Sequence, residues 1–270
     1  MGSRATGLTT GVLTISLDFE LFWGMRDHRT LDACRENLLG VRRAVPEILR
    51  VFKAHEIHAT WATVGFLFFG GRGELEAGLP ARLPEYENRE LDPYREVGAL
   101  GDSEEADPLH FAPSLLKQVA EQPGQEIGTH TMSHYYCLEP GQTIEAFRAD
   151  LLAAAKVAER QGIALKSLVF PRNQFNERYL SVCREMGITA YRGNQASWVY
   201  EPRNQGERAC FGGGSALDGL NEPDRAPRAR HAEDPARRAV RCAGRRFLRP
   251  WSLRLAPLDP PAVEAGSAMT

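Results

Sequence analysis

Gln125-Glu126-Ile127-Gly128-Thr129-His130-Thr131-Met132-Ser133-His134-Tyr135-Tyr136-Cys137 is the stretch on which the fold of this chain turns. It begins as a short strand, opens at Gly128 and then sets two histidines four residues apart, a spacing that stacks side chains on one face of a helical turn. Two neutral imidazoles so placed can grip one metal ion, and a third protein ligand must then come from elsewhere in the chain. Two surface histidines in a polar loop would give the same letters, so the surroundings have to decide.

Outward from this stretch, strand and helix alternate. On its C-terminal side, residues 143–160 predict a long Ala-rich helix with Thr143 as N-cap and Gly162 as its stop. Residues 166–170 predict a strand ending on Pro171-Arg172-Asn173-Gln174. Residues 176–186 predict a helix closed by Gly187, and residues 188–191 a strand ending on Arg192-Gly193-Asn194. On its N-terminal side lies a short helix over 113–120. Before that, residues 58–64 predict a strand, and 31–52 an amphipathic helix whose apolar residues recur at three and four, with Pro46 expected to kink or restart it. Residues 12–17 read as a buried strand that ends on Asp18-Phe19-Glu20. Between 70 and about 108 the chain reads as a long irregular insertion, acidic and Pro-rich, that suggests a surface flap. Its Gly70-Gly71-Arg72-Gly73 lacks the Lys-Ser or Lys-Thr of a phosphate loop, and no helix start is evident after it.

Alternation of this kind implies an α/β fold of parallel strands with crossover helices, as an open sheet or a barrel. Asp18 and Glu20, His130 and His134, Arg172, and Arg192 each fall just past the end of an expected strand. In parallel α/β architectures those ends share the face that holds the active site. Any one of these side chains is explained as a solvated loop residue; the same placement four times over is not.

The 270 residues, 43% hydrophobic and 25% charged, are enough to bury a sizeable core. A formal net charge of −2 and a pI near 6.4 give no electrostatic reason to expect nucleic acid or an anionic membrane as partner. The five cysteines, at 34, 137, 183, 210 and 242, are odd in number and lack C-x2-C pairing, which suggests a reducing compartment. The first ten residues hold one Arg and no apolar run of signal-peptide length, and the apolar run at 61–69 is too short to span a bilayer. A cytoplasmic location is the expectation.

At this point the residues resemble the polysaccharide deacetylases that share the NodB homology domain, the carbohydrate esterase family 4 type, over roughly 12–194. Thr129-His130-Thr131-Met132-Ser133-His134 looks like that family's H-[ST]-x-x-H metal motif. Ala59-Thr60-Trp61-Ala62-Thr63-Val64-Gly65 is similar to its second-strand signature, and Pro171-Arg172 resembles, in reversed order, its Arg and Pro element. Ser16-Leu17-Asp18-Phe19-Glu20 departs from the usual T-F-D-D-G, because the adjacent Asp pair is replaced by Asp18 and Glu20 about Phe19. The resemblance implies a distorted (β/α) barrel and metal-dependent hydrolysis of a carbon–nitrogen bond, with an N-acetylated sugar or polysaccharide precursor as substrate. The implied cofactor is a divalent ion, Zn2+ first.

His130, His134 and one carboxylate would hold that ion, which polarises a carbonyl and lowers the pKa of water. By position with the family's first Asp, Asp18 is the general base and Glu20 the metal ligand; residues two apart share a strand face, and the reverse assignment stays open. Arg172 is expected to orient the base carboxylate, and the Tyr135 backbone N–H to serve the oxyanion. Hydrolysis of another linear or cyclic amide, such as a ureide or imide, is the alternative activity. A catalytically impaired metal- or carbohydrate-binding homologue is the alternative class. The expected division is a catalytic domain over 1–202 and a tail over 203–270, rich in Arg, Ala and Pro, after the last lysine of the chain. Such composition cannot readily bury a core, so the tail is expected to be disordered, or aberrant through a reading-frame accident in a high-GC gene, and the barrel incomplete. The family's late general-acid histidine has only His231 to match it, with no strand before it.

Overall fold

The computed structural model describes residues 12–194, beginning with β1 (Ser16–Phe19) and a 3-10 turn over Leu21–Gly24. The strand expected at 12–17 is displaced toward its polar end. Val12 and Leu13 are 61% and 86% exposed, because the ladder to the next strand starts only at Ser16 and their β-propensity finds no partner. Asp18 therefore lies inside the strand and Glu20 one residue beyond it.

Helix α1 (Leu31–Ala54) starts where the Thr30 side chain accepts a hydrogen bond from the Ala33 N–H, and it buries Cys34, Leu38, Val45 and Leu49 as one stripe. It runs through Pro46 without ending. Pro46 is exposed, and the buried stripe on either side keeps the helix in place. Strand β2 (Ala59–Thr63) follows.

The insertion is not a structureless flap. Helix α2 (Arg72–Ala77) starts directly at the glycines, with Glu74 accepting the Gly70 N–H at 2.8 Å. Two 3-10 turns, Arg89–Leu91 and Pro93–Ala99, follow. Asn88 and Asp92 cap them, and Leu75, Tyr86, Leu91, Val97, Leu100 and Leu109 are buried. These anchors have no helix or strand period, which is why the sequence read as loop.

Helix α3 (Pro113–Glu121), β3 (Gln125–Thr129), α4 (Ile144–Glu159), β4 (Ser167–Val169), α5 (Leu180–Glu185) and β5 (Ala190–Arg192) complete the described chain. Gly162 and Gly187, at φ 73° and 77°, take the left-handed turns that stop the two later helices. The five strands pair in parallel in the order β1-β2-β3-β4-β5, and the register Phe19↔Thr63↔Thr129 keeps the first three ends level. The sheet curls into a half-barrel. Its opposite edges meet where Nη1 and Nη2 of Arg192 in β5 bind the Asp18 carboxylate of β1, at 2.8 and 2.9 Å. The parallel α/β architecture is the one that alternation of strand and helix predicts, and its curl is that of the distorted barrel the resemblance implied. The expected tail at 203–270, its boundary at 202 and His231 lie outside the described residues. No helix among the described residues is long and apolar enough to cross a membrane.

Beneath the level strand ends, α4 sends Asp150, fully buried, against the loop that follows β3. Its carboxylate accepts the Met132 N–H at 2.7 Å and the Ser133 hydroxyl. Burial lifts the Asp150 carboxyl to about 6, and the bonds from Ser133 and Met132 offset this only in part. A folded-state pKa above the unfolded ~3.9 means that its contribution is fully present below about pH 4 and is lost as pH rises through about 6. The two-unit difference corresponds to about 3 kcal/mol. Urea titrations of the unmodified protein and Asp150→Asn from pH 4 to 7 are expected to show this loss only in the former; parallel curves would rule it out.

Candidate metal centre

His130 is the first residue beyond β3, and its N–H continues the ladder to the Thr63 carbonyl at 2.8 Å. The next three residues do not form the helical turn that the spacing suggested. Thr131 and His134 have φ of 66° and 57°, so the loop doubles back on itself. Gly65 and Phe66 hold its Thr131 and Met132 carbonyls from the β2 side, and Asp150 holds it from below. The two rings still meet, with centroids 4.9 Å apart, and both histidines are buried. From β1, Glu20 turns in to join them: its Oε2 lies 3.2 Å from His130 Nε2 and 3.1 Å from His134 Nε2. One ligand atom from each of the three lies within 4.8 Å of the others.

The outer nitrogens decide what these contacts are. His130 Nδ1 lies 2.9 Å from the Val169 carbonyl, which only accepts, so Nδ1 carries a proton and in the neutral ring Nε2 is the lone-pair nitrogen. His134 Nδ1 lies 3.1 Å from the Tyr136 hydroxyl, which itself donates to Asp27 Oδ2 at 3.1 Å. The hydroxyl oxygen must therefore accept from Nδ1–H, and again Nε2 is bare. Burial pushes the His134 pKa down, against a charged ring. Burial would by itself raise Glu20, yet the two imidazoles beside it outweigh this and hold its carboxyl well below the usual range. Two bare nitrogens and an ionised oxygen thus face one another, an arrangement that a cation between them stabilises. Two imidazoles and a carboxylate are also the donor set that divalent zinc accepts.

Gly24 makes room for this carboxylate. A Cβ there would lie 1.9 Å from Glu20 Cδ. Gly24→Ala is expected to leave the melting temperature nearly unchanged, since only the end of one side chain must move, and to weaken zinc binding about 10–100-fold. Chelator competition measures it, and affinity equal to that of the unmodified protein would show that Glu20 has another place to go.

Residues 30–191 match the family model described as polysaccharide deacetylase. The chain belongs to the polysaccharide deacetylase family. The family match starts after Asp18 and Glu20, so these carboxylates rest on the geometry alone. Among proteins of curated function, none matches this deacetylase-family chain. Among solved structures it is similar to a family 4 carbohydrate esterase pseudoenzyme from Bacillus anthracis, with 13% identity, a TM-score of 0.38, and 66% of this chain and 42% of that one covered. It is similar also to a family 4 carbohydrate esterase from Streptomyces lividans in complex with acetate, at 11% identity and TM-score 0.37, covering 68% of this chain and 63% of that one. A third is the deacetylase domain of BpsB from Bordetella bronchiseptica, at 15% and 0.38, covering 67% and 63%. The chain thus spans less than half the length of the first of these and under two thirds of the other two.

Two residues expected to act in this family site are placed differently. Arg172, at φ 55° in the turn after β4, does not reach Asp18; its Nη2 binds Asp27 Oδ1 at 2.7 Å and the Gly24 carbonyl at 3.0 Å. Arg192 holds Asp18 instead, because the curl of the sheet carries the end of β5 across to β1. The Tyr135 N–H is already donated to Thr131 Oγ1 at 2.7 Å, and its ring is buried against Phe147, so it has no N–H to offer an oxyanion. Asp27 and Tyr136 were missed. Asp27 stands in the charged run Arg26-Asp27-His28 after the β1 turn, with no ligand next to it in sequence, whereas Tyr136, two residues past His134, was visible as a polar group beside a ligand.

Proposed function

We propose that the chain is a metal-dependent hydrolase that removes the acetyl group from the nitrogen of an N-acetylated sugar or polysaccharide precursor. The observation that carries this is the meeting of Glu20, His130 and His134 with both histidines fixed to present Nε2. Membership of the polysaccharide deacetylase family supplies the substrate class. A divalent ion held by these three, zinc first, supplies Lewis acidity at the acetyl carbonyl and a more acidic water.

Asp18 is the general base. Its side chain is 35% accessible and Arg192 orients it, whereas the Asp27 side chain is wholly enclosed and cannot meet a substrate. Water adds to the acetyl carbon as Asp18 takes a proton from it. The C–N bond then breaks as Asp18 passes that proton to the departing nitrogen, giving acetic acid and the amine, which leave as acetate and the ammonium ion. Elemental analysis of the purified protein, beside an acetate-release assay on N-acetylated sugars with and without chelator, tests the reading. Bound divalent metal and chelator-sensitive acetate release are expected. A metal-loaded protein that releases no acetate across the panel would overturn the activity, and a metal-free protein with full activity would overturn the metal dependence.

A further inference from the structure

The two histidines are anchored in different ways. His130 leans on a backbone carbonyl, that of Val169, which no substitution removes. His134 leans on a side chain, the Tyr136 hydroxyl, which leans in turn on Asp27. Resting on the metal-binding reading above, we propose that Asp27, acting through the Tyr136 hydroxyl, is a positioning residue for His134 that holds the proton on Nδ1 and keeps bare the nitrogen facing Glu20.

Each link of this chain is held from outside. The Asp27 side chain has no accessible surface; Arg172 and His28 contact its Oδ1, and the Tyr136 hydroxyl donates to its Oδ2. The His28 hydrogen bond and the Arg172 charge outweigh the opposing effect of burial and keep the Asp27 carboxyl well below the usual range, so it accepts and does not donate. The Tyr136 hydroxyl points its proton at Asp27 Oδ2, 3.1 Å away. The Tyr136 backbone N–H donates to the Tyr86 hydroxyl at 2.9 Å, which ties the insertion to the same residue. With the phenol proton committed to Asp27, only its oxygen lone pair remains for His134, and Nδ1 must be the protonated nitrogen. Arg172 also binds the Gly24 carbonyl, in the turn that makes room for Glu20, so the proposed ligands from β1 and β3 share one brace.

The test reads the metal-free full chain as well as the loaded one. In histidine-15N NMR of metal-free protein, His134 is expected as the Nδ1–H tautomer, shifting toward Nε2–H in Tyr136→Phe, where only Glu20 is left as acceptor. Zinc affinity by chelator competition should fall about 10–100-fold in Tyr136→Phe. Asp27→Asn should cost less, because an amide oxygen still accepts from the phenol, and the double variant should bind no more weakly than Tyr136→Phe alone, since both changes cut one chain. Tyr179→Phe, which removes a buried tyrosine's hydroxyl away from this chain, should leave affinity unchanged. An unshifted tautomer with affinity within about twofold in Tyr136→Phe would overturn the proposal. Should that variant fail to fold, Asp27→Ala decides on the same two readouts. Failure of the unmodified protein to bind zinc would sink the metal reading, while the tautomer experiment would still decide on the relay.

Discussion

His130→Ala and His134→Ala are each expected to lose bound metal and acetate release together. Structural zinc sites hold their ion with about 10–16 kcal/mol, so removing one of three protein ligands should remove roughly a third of that, about 3–5 kcal/mol, or about 10²–10⁴-fold in affinity. The neighbouring structure gives no reason for a wider collapse. The loop between the histidines is held by Gly65, Phe66 and Asp150, none of which bonds to an imidazole. Each variant should therefore melt as one cooperative unit, close to the unmodified protein without metal. Elemental analysis after gel filtration measures occupancy, and full occupancy in both variants would remove the site.

The two carboxylates should separate cleanly. Glu20→Gln puts an amide where an anion faces two bare nitrogens, so metal affinity should fall while Asp18 and its Arg192 partner stay as they are. Asp18→Asn should bind metal as before and lose about 10²–10⁴-fold in turnover, the usual worth of a positioned base. Measuring metal content and turnover on both variants decides the assignment. The opposite pattern would exchange the two roles, and unchanged turnover in both would dismiss them.

How far the sequence could be read depended on the range of the interactions involved. Strand and helix order followed from periodicity, and the H-x3-H stretch announced both histidines, because those signals are local. Glu20 was visible as a carboxylate at a strand end. Its choice over Asp18 for the place between the histidines needed the positive φ of Leu21 and the vacancy at Gly24, which no spacing reveals. The exchange of arginines is the plainest long-range case. Arg172 follows β4 and Arg192 closes β5, and only the curl of the sheet decides that the later one reaches Asp18 while the earlier one bends into the β1 turn. The insertion was misread for the opposite reason. Its buried residues are anchored one at a time by caps and backbone contacts, and such order leaves no period.

The bridge from Arg192 to Asp18 also imposes a timetable on synthesis. Its partners are 174 residues apart, so at about 5–20 residues per second the carboxylate leaves the ribosome about 9–35 s before the guanidinium that will hold it. During that interval β1, β2 and β3 can already pair and α1 can cover them, yet the concave face stays open at one edge. A nascent chain stalled before Arg192 should therefore carry Glu20, His130 and His134 with Asp18 unrestrained, able to take up metal before it is ready to turn over substrate.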